Sequence, residues 1–132
     1  VYYGHPNPAR GQLAYQADLA DGTPHMPPIS TLPRGSVVTG VKEYASAANG
    51  GQMQGMLLLT GFLDGSIHYV SLSVDGLAAT GQGVLAGGFA NPIDLAVGPD
   101  GTIYVLEAGG TLSFGGIGPA KLTALVPEQP AS

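Results

Sequence analysis

The stretch Asn91-Pro92-Ile93-Asp94-Leu95-Ala96-Val97-Gly98-Pro99-Asp100-Gly101-Thr102-Ile103-Tyr104-Val105 decides the reading of this chain. Ile93, Leu95 and Val97 alternate with Asp94 and Ala96, the period of two that gives a strand one apolar face. Gly98-Pro99-Asp100-Gly101 carries turn chemistry, with Pro presetting φ and Gly permitting a positive one. Thr102–Leu106 then returns to β-branched and aromatic residues. The segment therefore predicts a strand over Pro92–Val97, a tight turn, and a strand over Thr102–Leu106.

Working outward, Thr111–Phe114 and Lys121–Val126 predict two further strands of the same set. A second set precedes it. Val37–Tyr44 is one strand. Gly55–Phe62 contains the run Met56-Leu57-Leu58-Leu59, which suits a strand buried on both faces. Asp64-Gly65 is a hairpin turn, Ser66–Leu72 the return strand, Asp75-Gly76 the next turn, and Gly83–Leu85 a weaker fourth strand. Four strands in antiparallel order are the content of one propeller blade. Leu58 aligns with Ile103, Gly65 with Gly110, Ser66 with Thr111, Ile67 with Leu112 and Tyr69 with Phe114, each pair 45 apart, within the period of such blades. The expected fold class is all-β, a β-propeller fragment of about two four-stranded antiparallel blades. A sandwich or small barrel has similar turn spacing and is the alternative.

Composition agrees with strands and turns. The 132 residues include 22 Gly and 11 Pro, each costing about 1–3 kcal/mol against Ala inside a helix. The chain is 44% hydrophobic and 10% charged, so it has apolar surface to bury. Toward the start, Gln12–Tyr15 is a candidate strand, and residues 16–36, interrupted by Pro24, Pro27, Pro28 and Pro33, read as a long surface loop. Residues 1–126 form the wheel segment, and the polar stretch 127–132 reads as a tail or linker. With no initiator Met and no signal peptide, the beginning reads as the middle of a protein. Blades bury both faces against neighbours, so upstream blades of the same chain are the expected partners.

The net charge is −5, and the basic residues are Arg10, Arg34, Lys42 and Lys121. They are scattered, so no patch exists to neutralise phosphates, and nucleic acid is not an expected partner. No run approaches the 18 apolar residues of a membrane helix, so no membrane insertion is expected. With no Cys, disulfides and thiolate metal sites are excluded.

Several side chains are candidates for a pocket at the wheel's axis. His5, with Asn7 and Arg10 close by, suits a ligand or hydrogen-bond donor; a loop-fixing role is the plainer reading. Asn91 and Asp94 sit at the start of a blade's innermost strand, where axial pockets are lined. Asp94 has the alternative of pairing with neighbouring backbone or a Lys. Glu107 follows a strand end and has the option of facing the same mouth. His25 reads as exposed and His68 as a satisfied inter-blade residue. Asp64, Asp75 and Asp100 each precede Gly, and turn Asp residues accepting from their own backbone explain them better than calcium ligation. No metal-ligand spacing appears.

Three segments resemble the C-terminal part of the glucose/sorbosone dehydrogenase-like six-bladed propellers. They are Tyr2-Tyr3-Gly4-His5-Pro6-Asn7-Pro8-Ala9-Arg10-Gly11; Gly40-Val41-Lys42-Glu43-Tyr44 with Met53-Gln54-Gly55-Met56-Leu57-Leu58; and Asn91–Val105. The resemblance implies a secreted or periplasmic protein acting on a small sugar or glycan. It also implies the quinone cofactor PQQ with calcium on the axis, and a His base in a blade that would precede Val1. The family places two Arg just before the Asp that aligns with Asp94, where this chain has Asn91 and Ile93. It places a Lys before the hairpin Gly that aligns with Gly65, where this chain has Leu63. PQQ carries three carboxylates, so losing three charge-assisted bonds removes about 4–9 kcal/mol of binding, or roughly three to six orders of magnitude. Three functions follow as expectations: quinone-dependent sugar oxidation, a non-catalytic propeller that binds glycan or protein, and a lactonase-like metal hydrolase.

Overall fold

The computed structural model describes residues 26–109 and 119–130. Contacts divide the chain into Val1–Thr31 and Leu32–Ser132. Of the first unit, residues 26–31 are described and form no strand. His5, Asn7, Arg10, Gln12–Tyr15, His25 and Thr111–Phe114 lie outside the described residues.

The second unit is all-β, with two antiparallel sheets. The first joins β1 (Val38–Glu43), β2 (Leu57–Gly61), β3 (Ser66–Leu72) and β4 (Ala79–Ala86) in chain order. The second joins β5 (Pro92–Val97), β6 (Ile103–Glu107) and β7 (Lys121–Leu125). The hairpins form where the turn residues stand. In the β5–β6 turn, Asp100 Oδ1 accepts from Thr102 N at 3.0 Å and Oδ2 from the Thr102 hydroxyl at 2.9 Å. In the β3–β4 turn, Asp75 Oδ1 accepts from the Ser73 hydroxyl at 2.6 Å and from Leu77 N at 3.0 Å. These donors hold both carboxyls below the usual carboxylate range, the Ser73 hydroxyl acting most strongly on Asp75 and the Thr102 N–H on Asp100.

Three expectations are corrected. β4 begins at Ala79, four residues before the predicted Gly83. Its Gln and Gly residues hide the alternation, but Gly83 leaves room for the Tyr69 ring, which a Cβ there would meet at 2.9 Å. β7 pairs directly with β6, from Ile103↔Leu125 to Glu107↔Lys121. With β5 on its other edge, β7 stands third in this sheet, the place the sequence reading gave to a third strand before it. Finally, Leu57 and Leu59 are half-buried beside a fully buried Leu58, so the Leu run is not covered equally on both faces.

The first two strands of each sheet repeat one another in detail. Val37 and Asn91 immediately precede β1 and β5, are 54 apart, and take left-handed φ values of 46° and 54°. Such a conformation costs a β-branched residue about 1–3 kcal/mol and is better tolerated by Asn. Each carbonyl accepts from the residue beyond the partner strand, Phe62 N to Val37 O at 3.0 Å and Ala108 N to Asn91 O at 2.9 Å. A register shift then follows between Val38 and Gly40, and between Pro92 and Asp94. Inner strands are therefore offset by 54, but Gly61 and Glu107, opposite Val38 and Pro92, by 46. Leu58 thus corresponds to Tyr104 rather than to Ile103, and this one-residue correction exchanges the two faces of the strand. The difference arises from the long β1–β2 connection, 44–56, against the short turn between β5 and β6.

The two sheets pack through β5 against β1 and β2. Tyr44, Leu58 and Ile67 on one side and Leu95, Ile103 and Val105 on the other form the core. β1 and β5 run side by side in the same direction, with the Thr39 hydroxyl donating to Pro92 O at 3.0 Å. Their approach requires a glycine: a Cβ at Gly40 would lie 2.8 Å from Asp94 Oδ1 and 3.2 Å from Asp94 Cα. Tyr44, beyond the end of β1, reaches the β5–β6 turn and donates from its hydroxyl to Gly101 O at 2.8 Å. Tyr44→Phe orphans that buried carbonyl and is expected to cost about 1–2 kcal/mol, read as a lower urea midpoint with an unchanged slope.

Candidate functional site

Strand direction sorts the polar residues to two ends. Where β1 and β5 begin, the fold collects the β2–β3 turn with Leu63 and Asp64, the β4–β5 connection with Asn91, the early part of β5 with Asp94, and the end of β6 with Glu107. Three of the sequence candidates, Leu63, Asn91 and Asp94, therefore share one end. The turn and the connection are tied by Phe89 N donating to Gly65 O at 3.0 Å.

Most of the polar groups at this end are engaged in holding the fold. Asn91 uses its carbonyl in the repeated clasp described above. Asp94 is exposed, and its Oδ1 accepts from Leu95 N at 2.8 Å, the neighbouring-backbone alternative of the sequence reading. Glu107 does not face the mouth. It is 1% exposed, accepting from Ala90 N at 2.8 Å through Oε1 and from the Thr123 hydroxyl at 2.5 Å through Oε2. Lys121 Nζ stands 3.8 Å from Oε2. Burial pushes the Glu107 carboxyl up, but the Thr123 and Ala90 bonds and the Lys121 charge outweigh it and leave it below the usual range.

His68 and Asp64 form a pair the sequence reading kept separate. Asp64 makes its expected turn contact, Ser66 N to Oδ1 at 3.1 Å, while Oδ2 meets His68 Nε2 at 2.7 Å. His68 is buried and satisfied, and in register with Leu59 and Val84 it lies on the face of its sheet turned away from the second sheet.

The opposite end, where β1 and β5 finish, is more open. A cleft of about 500 Å³ is bounded by Glu43, Gln54, Met56, Ser71, Ser73 and Asp75. A second, of about 390 Å³, lies between Glu43, Ser46, Val97 and Pro99. Glu43 is exposed and borders both. Sequence reasoning missed this end, because Glu43 reads as the polar end of a strand. The usable signal is the excursion 44–56, which replaces a tight turn and leaves the end of the sheet uncovered. Among the described residues no group of three His, Asp or Glu converges to hold a metal ion. No helix there is long and apolar enough to cross a membrane.

The residues at the strand-start end do not fit PQQ. Leu63 is exposed and apolar, Asn91 carries no charge, and Asp64 and Asp94 add carboxylates to an end where an anionic ligand needs cations. No protein-family model, no curated protein and no solved structure matches this chain.

Proposed function

We propose that this chain is a two-sheet segment of a β-propeller, akin to the glucose/sorbosone dehydrogenases, that binds a neutral, hydroxyl-rich ligand such as a sugar without a quinone cofactor. The propeller reading is supported by the repeated clasp and register shift at Val37 and Asn91, with β1 and β5 side by side and parallel. A sandwich pairs unrelated sheet faces and has no reason to repeat such a detail.

One observation carries the ligand class: the cleft of about 500 Å³ combines carboxylates, amides and hydroxyls at Glu43, Asp75, Gln54, Ser71 and Ser73 with the apolar side chains of Met56, Leu72 and Val74. Its volume falls within the range of small-molecule sites. Carboxylate and amide oxygens accept from sugar hydroxyls, whereas an anion entering there meets the negative charges of Glu43 and Asp75.

Titration with mono- and oligosaccharides, followed by calorimetry, tests the reading. Glu43→Gln with Gln54→Ala is expected to weaken binding about tenfold or more, roughly 1.4 kcal/mol, while Asp94→Ala leaves it unchanged. Dye reduction with aldoses after adding PQQ and calcium would overturn the non-catalytic reading. Loss of binding on Asp94→Ala alone would move the site to the other end.

A further inference from the structure

The two clefts at the end where β1 and β5 finish differ in chemistry. The first, of about 500 Å³, lies beside the end of β3 and the β3–β4 turn, and Gln54, Ser71 and Asp75 give it its polar groups. The second, of about 390 Å³, lies between the stretch beyond β1 and the β5–β6 turn. Ala45, Val97 and Pro99 make its lining mainly apolar. The Ser46 hydroxyl there is buried and already accepts from Ala48 N at 3.1 Å. Glu43 borders both clefts, and its carboxylate is exposed. The excursion 44–56 walls both, with Gln54 on the first and Ala45 on the second. Its two ends are held together by Gly55 N donating to Tyr44 O at 2.8 Å and Gln54 Nε2 to Ala45 O at 3.3 Å. The clefts are therefore fixed side by side, one polar and one apolar, with a carboxylate at their junction.

We infer that the ligand is a glycoside with a small apolar aglycone, its hydroxyl-rich ring in the first cleft and its aglycone against Val97 and Pro99 in the second. This deepens the sugar-binding reading above and rests on it. A free sugar leaves the second cleft unused. A second sugar ring there brings hydroxyls to a lining with few partners for them, and polar groups buried without partners cost binding. An apolar aglycone has no such cost and gains from the area it removes from water. A negatively charged aglycone is disfavoured, because Glu43 borders that cleft too. The bond between the two moieties passes Glu43, whose carboxylate accepts from the ring hydroxyl next to that bond.

Calorimetric titration with glucose, galactose and mannose, and with the methyl and phenyl glycosides of each, tests the inference. For the sugar that binds, the phenyl glycoside is expected to bind about tenfold more tightly than the methyl glycoside. Two variants locate the gain. Pro99→Ser removes apolar surface from the second cleft, and Ala45→Asp adds a charge to it. Both positions are exposed, and Ser is accepted in the turn where Pro99 stands, so both variants are expected to keep the wild-type circular dichroism. In each, the phenyl-to-methyl ratio is expected to fall toward one while the affinity for the free sugar is unchanged. Equal binding of the phenyl and methyl glycosides overturns the inference and leaves the sugar site standing. A tenfold gain that survives both substitutions also overturns it, because the aglycone then lies elsewhere. Binding of none of these probes overturns the sugar reading and this inference together.

Discussion

Gly101→Ala is expected to lower the melting temperature by roughly 10–20 °C in a chain of this size, without changing the sequence signals for any strand. Gly101 has a φ of 89°, and a Cβ there would stand 2.5 Å from Ala48 Cβ and 2.5 Å from the Tyr44 hydroxyl. The conformation alone costs a non-glycine residue about 1–3 kcal/mol. Overpacking against buried neighbours adds about 1–3 kcal/mol. Neither neighbour has room to move, since Tyr44 and Ala48 are both buried and Tyr44 is tied to Gly101 O. The total approaches the net stability of a typical domain, about 5–15 kcal/mol. Differential scanning calorimetry checks it. An unshifted midpoint would mean that the 44–56 excursion does not dock on the β5–β6 turn.

The second large effect belongs to Glu107. Glu107→Ala leaves the Ala90 N–H and the Thr123 hydroxyl without their acceptor in a buried site, at an expected cost of about 3–5 kcal/mol. Glu107→Gln keeps the shape and one acceptor, and about 1–2 kcal/mol is expected. Lys121→Met should change stability by less than about 1 kcal/mol, because its ammonium is mostly exposed. The pH dependence separates the charge from the shape. Because the folded carboxyl titrates below its unfolded value, near 4.3, the unfolded state binds more protons in acid. Its contribution is present above that value and is lost as pH falls through the folded pKa. Asp75 and Asp100 act in the same direction. The stability gap between wild type and Glu107→Gln, measured by urea denaturation, is therefore expected to narrow below about pH 4.3. A gap that stays constant would show that the carboxylate's charge contributes nothing to the clamp.

The engagement of Glu107 also shows why the strand-start end was misjudged from sequence. A carboxylate at a strand end usually points to solvent. Here the alternation of β6 places Ile103, Val105 and Glu107 on the inward face, and the irregular 87–91 connection supplies an N–H that needs an acceptor. Neither the face nor the orphaned donor is visible until the two sheets are packed. Asp64 and His68 are similar. Each local role was legible, but their 2.7 Å pairing depends on the β2–β3 hairpin bringing positions four apart onto one another.

By itself the sequence determined the strands and their turns. Ser66–Leu72 and Pro92–Val97 begin and end where alternation and turn residues place them, because period, β-propensity and the φ demands of Asp-Gly and Pro-Asp-Gly are local properties. It also determined that the segment before Asp94 carries Asn and Ile rather than cations. Only the tertiary structure decided which strand stands beside β6, that Leu58 answers to Tyr104, that Glu107 is a clamp, and that Glu43 borders the open clefts. Those outcomes depend on register and on which face meets the neighbouring sheet. A shift of one residue exchanges the two faces of a strand, and nothing within a single strand fixes that choice.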